Sequence, residues 1–244
     1  MQIIRTLWGD GRLHNKILGD IDFHIAFPNF QFTCLTYGKE NHKMIQEKGF
    51  QSILIHDEPY MYPNAGLWGH KIYAWKYAAT IFDSFFYIDW DVNMRDLSKP
   101  FISPENINKK LLISLRKYIS RKCQWRETHQ GIIPCASFIY FGDAKIPHEI
   151  YDMWVERGET GKEEKILAKY TEHNGQVDLN HYWEHYEPQG DFNYFHLDKR
   201  TAFRKKRRLE GSLTTSTFIH YGSHEFSRTR KPDEYKEFLL NSPN

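Results

Sequence analysis

Asp89 and Asp91 are two carboxylates spaced i, i+2 at the end of the run Phe85-Phe86-Tyr87-Ile88. The run is apolar and aromatic, the pattern of a buried strand. Along a strand, residues i and i+2 point the same way, so both carboxylates can reach one ion. Two charges at the tip of an apolar strand are costly unless a cation meets them, and the adjoining sequence supplies none. A hard divalent cation bound through oxygen is the expected partner. The alternative is that the two aspartates cap the turn after the strand.

Further chemistry lies downstream. His181-x-x-Glu184-His185 matches the H-x-x-E-H pattern of inverted zinc peptidases, with the histidines at i, i+4 on one helix face. Pro188 closes that helix early and no third ligand is identifiable. With 13 histidines in the chain a chance match is expected, so zinc hydrolysis stands as the alternative reading. A basic run, Lys199-Arg200 and Arg204 to Arg208, reads as a solvated face or as a contact with anionic lipid or a diphosphate.

The elements that position the two aspartates are legible upstream. Residues 2–7 form a short strand. Gln31 to Tyr37 reads as a strand ended by Gly38, and Lys39 to Lys48 as a helix ended by Gly49. Gln51 to Ile55 is the next strand. His70 to Phe82 carries apolar residues at helical spacing, Ile72, Trp75, Ala79 and Phe82. The order β-α-β-α-β predicts a parallel sheet with the aspartates at a strand's carboxyl end, the ligand edge of open α/β sheets. Lys71 and Lys76 fall on the helix before the acidic strand, where they reach phosphates or remain solvated.

The second half is less regular. Helices are expected over Asn106 to Tyr118, Pro147 to Arg157, Val177 to Tyr186 and Asp233 to Leu240. Strands are expected over Pro134 to Phe141 and Thr214 to His220, with a polar loop from Gly158 to Lys165 leading into a further helical stretch. The length suits one domain over 1–244, a nucleotide-binding half to about residue 100 and an acceptor half beyond it.

Thirty-three basic against 31 acidic side chains give a formal charge of only +2, which argues against a general nucleic-acid binder. Aromatic residues make up 16% of the chain, enough for a bulky core and for stacking on sugars or bases. Three well-separated cysteines, Cys34, Cys123 and Cys135, indicate neither a disulfide framework nor a cysteine zinc site. A reducing cytoplasm is expected, with peripheral contact at the inner membrane face through Lys199 to Arg208. No stretch is apolar for long enough to cross a membrane.

Tyr87-Ile88-Asp89-Trp90-Asp91-Val92 resembles the D-x-D element of glycosyltransferases with the GT-A fold. Lys76-Tyr77-Ala78, thirteen residues before Asp89, is similar to the R-Y-a segment of the D-x-D sugar-transferase and capsular polysaccharide family, with Lys76 in place of Arg. Phe218 to His224 resembles a segment of that family and of glycogenin-like enzymes, in which a His after a late strand is followed closely by Gly or Ser. Asn174-Gly175-Gln176-Val177-Asp178-Leu179-Asn180 is similar to the glycogenin-like D-Q-D-x-L-N segment.

The resemblance implies an α/β chain of GT-A type, with a Rossmann-like mixed sheet flanked by helices. It implies a nucleotide-sugar donor (UDP- or GDP-linked), Mn²⁺ or Mg²⁺, and transfer to a glycan, lipid-linked or protein acceptor, with retention. The metal ligands would be Asp89, Asp91 and His220, with His224 as substitute for the last. Asp89 would act directly, through water, or on the ribose. Gly222 and Ser223 would let the backbone approach the diphosphate. Gln176 and Asp178 would face the sugar and acceptor, Asp178 as base or orienting group, unless it caps the next helix. By fold analogy Thr36, Tyr37 and Asp57 would line the nucleotide pocket. A sugar- or nucleotide-binding module without catalysis is the third reading.

Overall fold

Phe85 to Ile88 is apolar on both faces, so it needs cover on both, and the fold supplies it. The computed structural model describes residues 2–9, 32–59, 68–90, 92–94, 110–117, 132–159, 163–173, 194–196 and 218–220. In chain order these form β1 (Gln2–Leu7), β2 (Thr33–Tyr37), α1 (Lys39–Glu47), β3 (Gln51–His56), α2 (Trp68–Ala79), β4 (Phe85–Ile88) and β5 (Val92–Met94). They continue as β6 (Leu111–Lys117), β7 (Ile132–Phe141), α3 (Lys145–Glu156), α4 (Glu163–His173), β8 (Tyr194–His196) and β9 (Phe218–His220).

The main sheet has the order β3-β2-β1-β4-β7-β6. The first four strands are parallel, with Ile4 opposite Thr33 on one side and opposite Tyr87 on the other. Strands β7 and β6 run antiparallel, so the parallel expectation holds for one half of a mixed sheet. The chain steps outward from β1 to β2 to β3, then returns to lay β4 on the other flank of β1. The order therefore reverses between β1 and β4, and a crevice beyond their carboxyl ends is where such sheets take ligands. Asp89 is the residue after β4.

Strand alternation divides the core. Ile4, Phe85, Tyr87, Ile139 and Phe141 face α2, α3 and α4. Ile3, Leu7, Cys34, Phe86, Ile88 and Tyr140 face the side of α1, which contributes Ile45. Trp75 is fully buried, its ring 5.5 Å from that of Tyr87 and 5.7 Å from that of Phe141; truncation of such a ring costs about 3–5 kcal/mol. Gly49 stops α1 with φ near +84°, a left-handed conformation open to glycine, while its N–H donates to Gln46 O.

The helix expected over 106–118 is a strand, β6, from Leu111 to Lys117. Leu111 and Ile113 pack on one face and Leu112 on the other, so the first residues of this strand, paired with β7, are buried on both sides. Tertiary pairing overrides helix-permissive composition here. The polar stretch 158–165 already contains the start of α4 at Glu163. A second sheet, β5-β9-β8, joins three short strands from distant parts of the chain. The helices expected over 177–186 and 233–240 lie outside the described residues.

Candidate active site at the tip of strand β4

Asp89 leaves β4 on the same side as Tyr87, the side covered by α2 and α4. Both its oxygens are held. Lys71 Nζ, from α2, donates to Oδ2 at 2.7 Å, and the Tyr87 hydroxyl donates to Oδ1 at 2.9 Å. Its backbone N–H donates to Ser137 O of β7 at 2.8 Å. The next residue is pinned as well: Trp90 Nε1 donates to Thr6 O of β1 at 2.9 Å. The strand tip is thus fixed to both neighbouring strands and to one helix before any ligand is considered.

A cation does meet Asp89, contrary to what the local sequence suggests. The Lys71 side chain is 3% exposed and lies 5.2 Å from the Tyr87 ring centroid as well as against the carboxylate. Its second acidic neighbour is Glu163, the first residue of α4, whose Oε1 lies 3.4 Å from Nζ. Burial pushes the Glu163 carboxyl up to about 7, against the opposing pull of Lys71. Its Oε2 is buried with no hydrogen-bond partner among the described residues. Burial, then the Asp89 charge, raises the Tyr87 hydroxyl well above its ordinary value, so it stays a donor.

One ammonium against two carboxylates leaves this group one negative charge in excess when Glu163 is ionised. Each Asp89 oxygen accepts one of these hydrogen bonds and retains a lone pair. Carboxylate oxygens with lone pairs to spare are the donor type that a divalent cation of the Mn²⁺ or Mg²⁺ kind would take. The second sheet adds a backbone fact: β5 pairs antiparallel with β9, placing Val92 opposite His220. The fold therefore brings residue 220 to the strand that begins one residue after Asp91. His196 of β8 is in register with His220 on its other side. Asp91 itself lies outside the described residues, and among those described no three metal-binding side chains converge.

The residues expected around a nucleotide are placed unequally. Thr36 and Tyr37 are fully buried at the end of β2. The Thr36 hydroxyl donates to Ile53 O at 3.2 Å and also meets Ser52 and His42. The Tyr37 hydroxyl donates to His70 O at 2.7 Å. Both hydroxyls hold the fold together. Asp57 is exposed and ion-paired with Lys39 at 2.8 Å. Lys76 does not join Lys71: its Nζ sits 4.0 Å from the centroid of the Tyr151 ring, in the α2–α3 layer. Gln176, Asp178, Gly222, Ser223, His224, the His181-Glu184-His185 segment and the basic run 199–208 lie outside the described residues.

Sequence reasoning missed Glu163, Tyr87 as a hydroxyl donor, and a cluster at the ends of β1 and β2. There Trp8 stacks on His70 with ring centroids 6.0 Å apart, and Asn41 Nδ2 donates to Gly9 O and Tyr37 O. Arg5 is fully buried between the rings of Phe32 and Trp90, 5.0 Å from each centroid. Only Tyr87 carried a usable signal, its i, i+2 spacing from Asp89.

No protein-family model matches the chain, and comparison by sequence finds no similar curated protein. Solved structures do align with it. The glycosyltransferase GlyE of Streptococcus pneumoniae TIGR4 aligns over 98% of this chain and 60% of its own, with 14% identity and a TM-score of 0.52. Its apo form aligns over the same shares at 13% identity and a TM-score of 0.50. The galactosyltransferase LgtC with donor and acceptor sugar analogs aligns at 15% identity and a TM-score of 0.49, too low to bear on function. The likeness to GlyE is one of fold: a mixed sheet flanked by helices, of GT-A type. This chain spans three fifths of GlyE's length.

Proposed function

We propose that the chain is a glycosyltransferase, drawing a sugar from a UDP- or GDP-sugar with Mn²⁺ or Mg²⁺ at the tip of β4. The observation that carries this is Asp89: a carboxylate on the ligand edge where the strand order reverses, with both oxygens oriented by Lys71 and Tyr87. The pairing of β5 with β9 supports His220 as a companion of Asp91. The GT-A fold is compatible with this activity.

A bound divalent cation supplies Lewis-acid neutralisation of the leaving nucleoside diphosphate. Asp89 meets that ion or the ribose with an orientation already set by Tyr87, so little is lost in ordering it. Lys71 keeps Asp89 and Glu163 from repelling one another, and its charge would favour a diphosphate bound beside Asp89. Gly222 and Ser223 would let the backbone approach the diphosphate, with His224 the substitute for His220. In transfer, the bond from the anomeric carbon to the diphosphate oxygen breaks and one to the acceptor oxygen forms, the acceptor proton leaving to a base. Asp178, assisted by Gln176, is assigned to that base or to orienting the acceptor, a glycan, lipid-linked or protein hydroxyl. Positive charge at the anomeric centre favours carboxylates nearby. Retention of configuration belongs to the same reading, as does a peripheral membrane contact through Lys199 to Arg208. Among the described residues no helix is long and apolar enough to cross a membrane.

The test is release of nucleoside diphosphate from a panel of UDP- and GDP-sugars with and without Mn²⁺. Wild-type protein should show metal-dependent release with at least one donor, and Asp91→Ala should abolish it. Full turnover by Asp91→Ala, together with its loss in Glu184→Gln, overturns the proposal in favour of the zinc segment.

A further inference from the structure

Lys71 stands between two carboxylates and is shared unequally. It is in tight contact with Asp89 at 2.7 Å, and at the long end of hydrogen-bond range from Glu163 at 3.4 Å. Charge-assisted bonds normally close to about 2.7–2.9 Å, so Glu163 is under-used by the ammonium beside it. Its other oxygen is buried and without a partner among the described residues. A carboxylate kept in this state is a poor structural brace, since a buried pair stabilises only when its geometry is good and its lone pairs are met.

We infer that Lys71 is the resident cation of the Asp89 tip, and that Glu163 receives it when a divalent cation takes Asp89. Two cations on one carboxylate repel. A lysine ammonium carries three donors on a flexible four-carbon stem, so it can exchange one oxygen partner for another. The move needed is small: closing the 3.4 Å contact to hydrogen-bond length is a shift of side-chain torsions, within the reach of α2 and α4 as they stand. Glu163 touches neither sugar nor metal in this scheme. It is a positioning residue acting through Lys71, and it links the metal site to the first turn of α4. The inference rests on the metal-dependent reading above, and its test separates the two.

The test is Mn²⁺ binding alone, with no donor present, to the full chain, followed through the electron paramagnetic resonance signal of free Mn²⁺. Glu163→Asp keeps the charge but withdraws it by one methylene from Nζ. A handover to Glu163 predicts Mn²⁺ binding weaker by roughly tenfold, the order of one charge-assisted hydrogen bond. Glu163→Gln should weaken it at least as much. Lys71→Gln, which removes the competitor for Asp89, should tighten it. Unchanged binding in Glu163→Asp with weakening only in Glu163→Gln would mean Glu163 acts by charge alone, and overturns the inference. Weakening in Lys71→Gln overturns it as well, and that variant decides the matter if the Glu163 variants fail to fold. In both cases the metal-dependent reading stands. Wild-type protein that binds no Mn²⁺ at millimolar concentration removes that reading too.

Discussion

Tyr87 and Asp89, two residues apart on one face of a strand, are bonded to each other: the buried hydroxyl donates to Oδ1 at 2.9 Å. The spacing that makes Asp89 available to a ligand also supplies the group that aims it.

Tyr87→Phe removes that donor and leaves the ring, which is 1% exposed, in place. Stability should fall by about 1.5–3 kcal/mol, the range for a hydrogen bond to a charged group with one partner left behind. Urea denaturation measures it. Metal-dependent nucleoside diphosphate release should fall in the same variant, because Asp89 loses its orientation. Unchanged stability and release together would show the bond to be idle.

Glu163 gives the free protein a pH signature. Its carboxyl is raised from 4.5 to about 7, so between those values the folded state holds a proton that the unfolded chain releases. Stability conferred by the protonated form is complete below 4.5 and is lost as pH rises through about 7. The loss is of the order of 3 kcal/mol at most. Glu163→Gln should flatten this slope. Denaturation of metal-free protein at pH 5 and pH 7.5 should give a smaller difference for the variant than for the wild type.

Lys71→Met should be among the most damaging single changes near the site. It strands Asp89 and Glu163, whose side chains are 21% and 6% exposed, and breaking a buried pair from one side costs about 3–5 kcal/mol. Adding Glu163→Gln to Lys71→Met should restore part of the loss, since one of the stranded charges goes with it. A double variant as unstable as the sum of the two singles would show that the groups are not coupled.

Much of the framework could be read from residue pattern. The βαβ order and the strand over 85–88, with Asp89 at its carboxyl end, follow from alternation and helical spacing. Glu163 was out of reach because it contacts Lys71 across 92 positions, and no local pattern marks which glutamate in a polar stretch will be buried. Leu111 to Lys117 was misread for a related reason: its state is decided by β7, more than a dozen residues on. The hydroxyls of Thr36 and Tyr37 look free in sequence because their backbone acceptors, Ile53 O on β3 and His70 O on α2, are invisible there. Lys71 and Lys76 were indistinguishable as lysines on one helix. Five positions place them on different sides, and only one side faces Asp89.

The antiparallel pairing of β7 with β4 also sets the order in which this molecule can be completed. As the chain emerges from synthesis, β1 to β4 can assemble first. Until residues 132–141 follow, β4 is then an outer strand whose four residues are apolar on both faces. An open apolar edge recruits other chains. At that stage the Asp89 N–H lacks Ser137, and Lys71 lacks Glu163. A nascent chain that has released β4 but not yet β7 therefore carries the acidic tip without its Ser137 and Glu163 contacts, and leaves an apolar strand open at its edge.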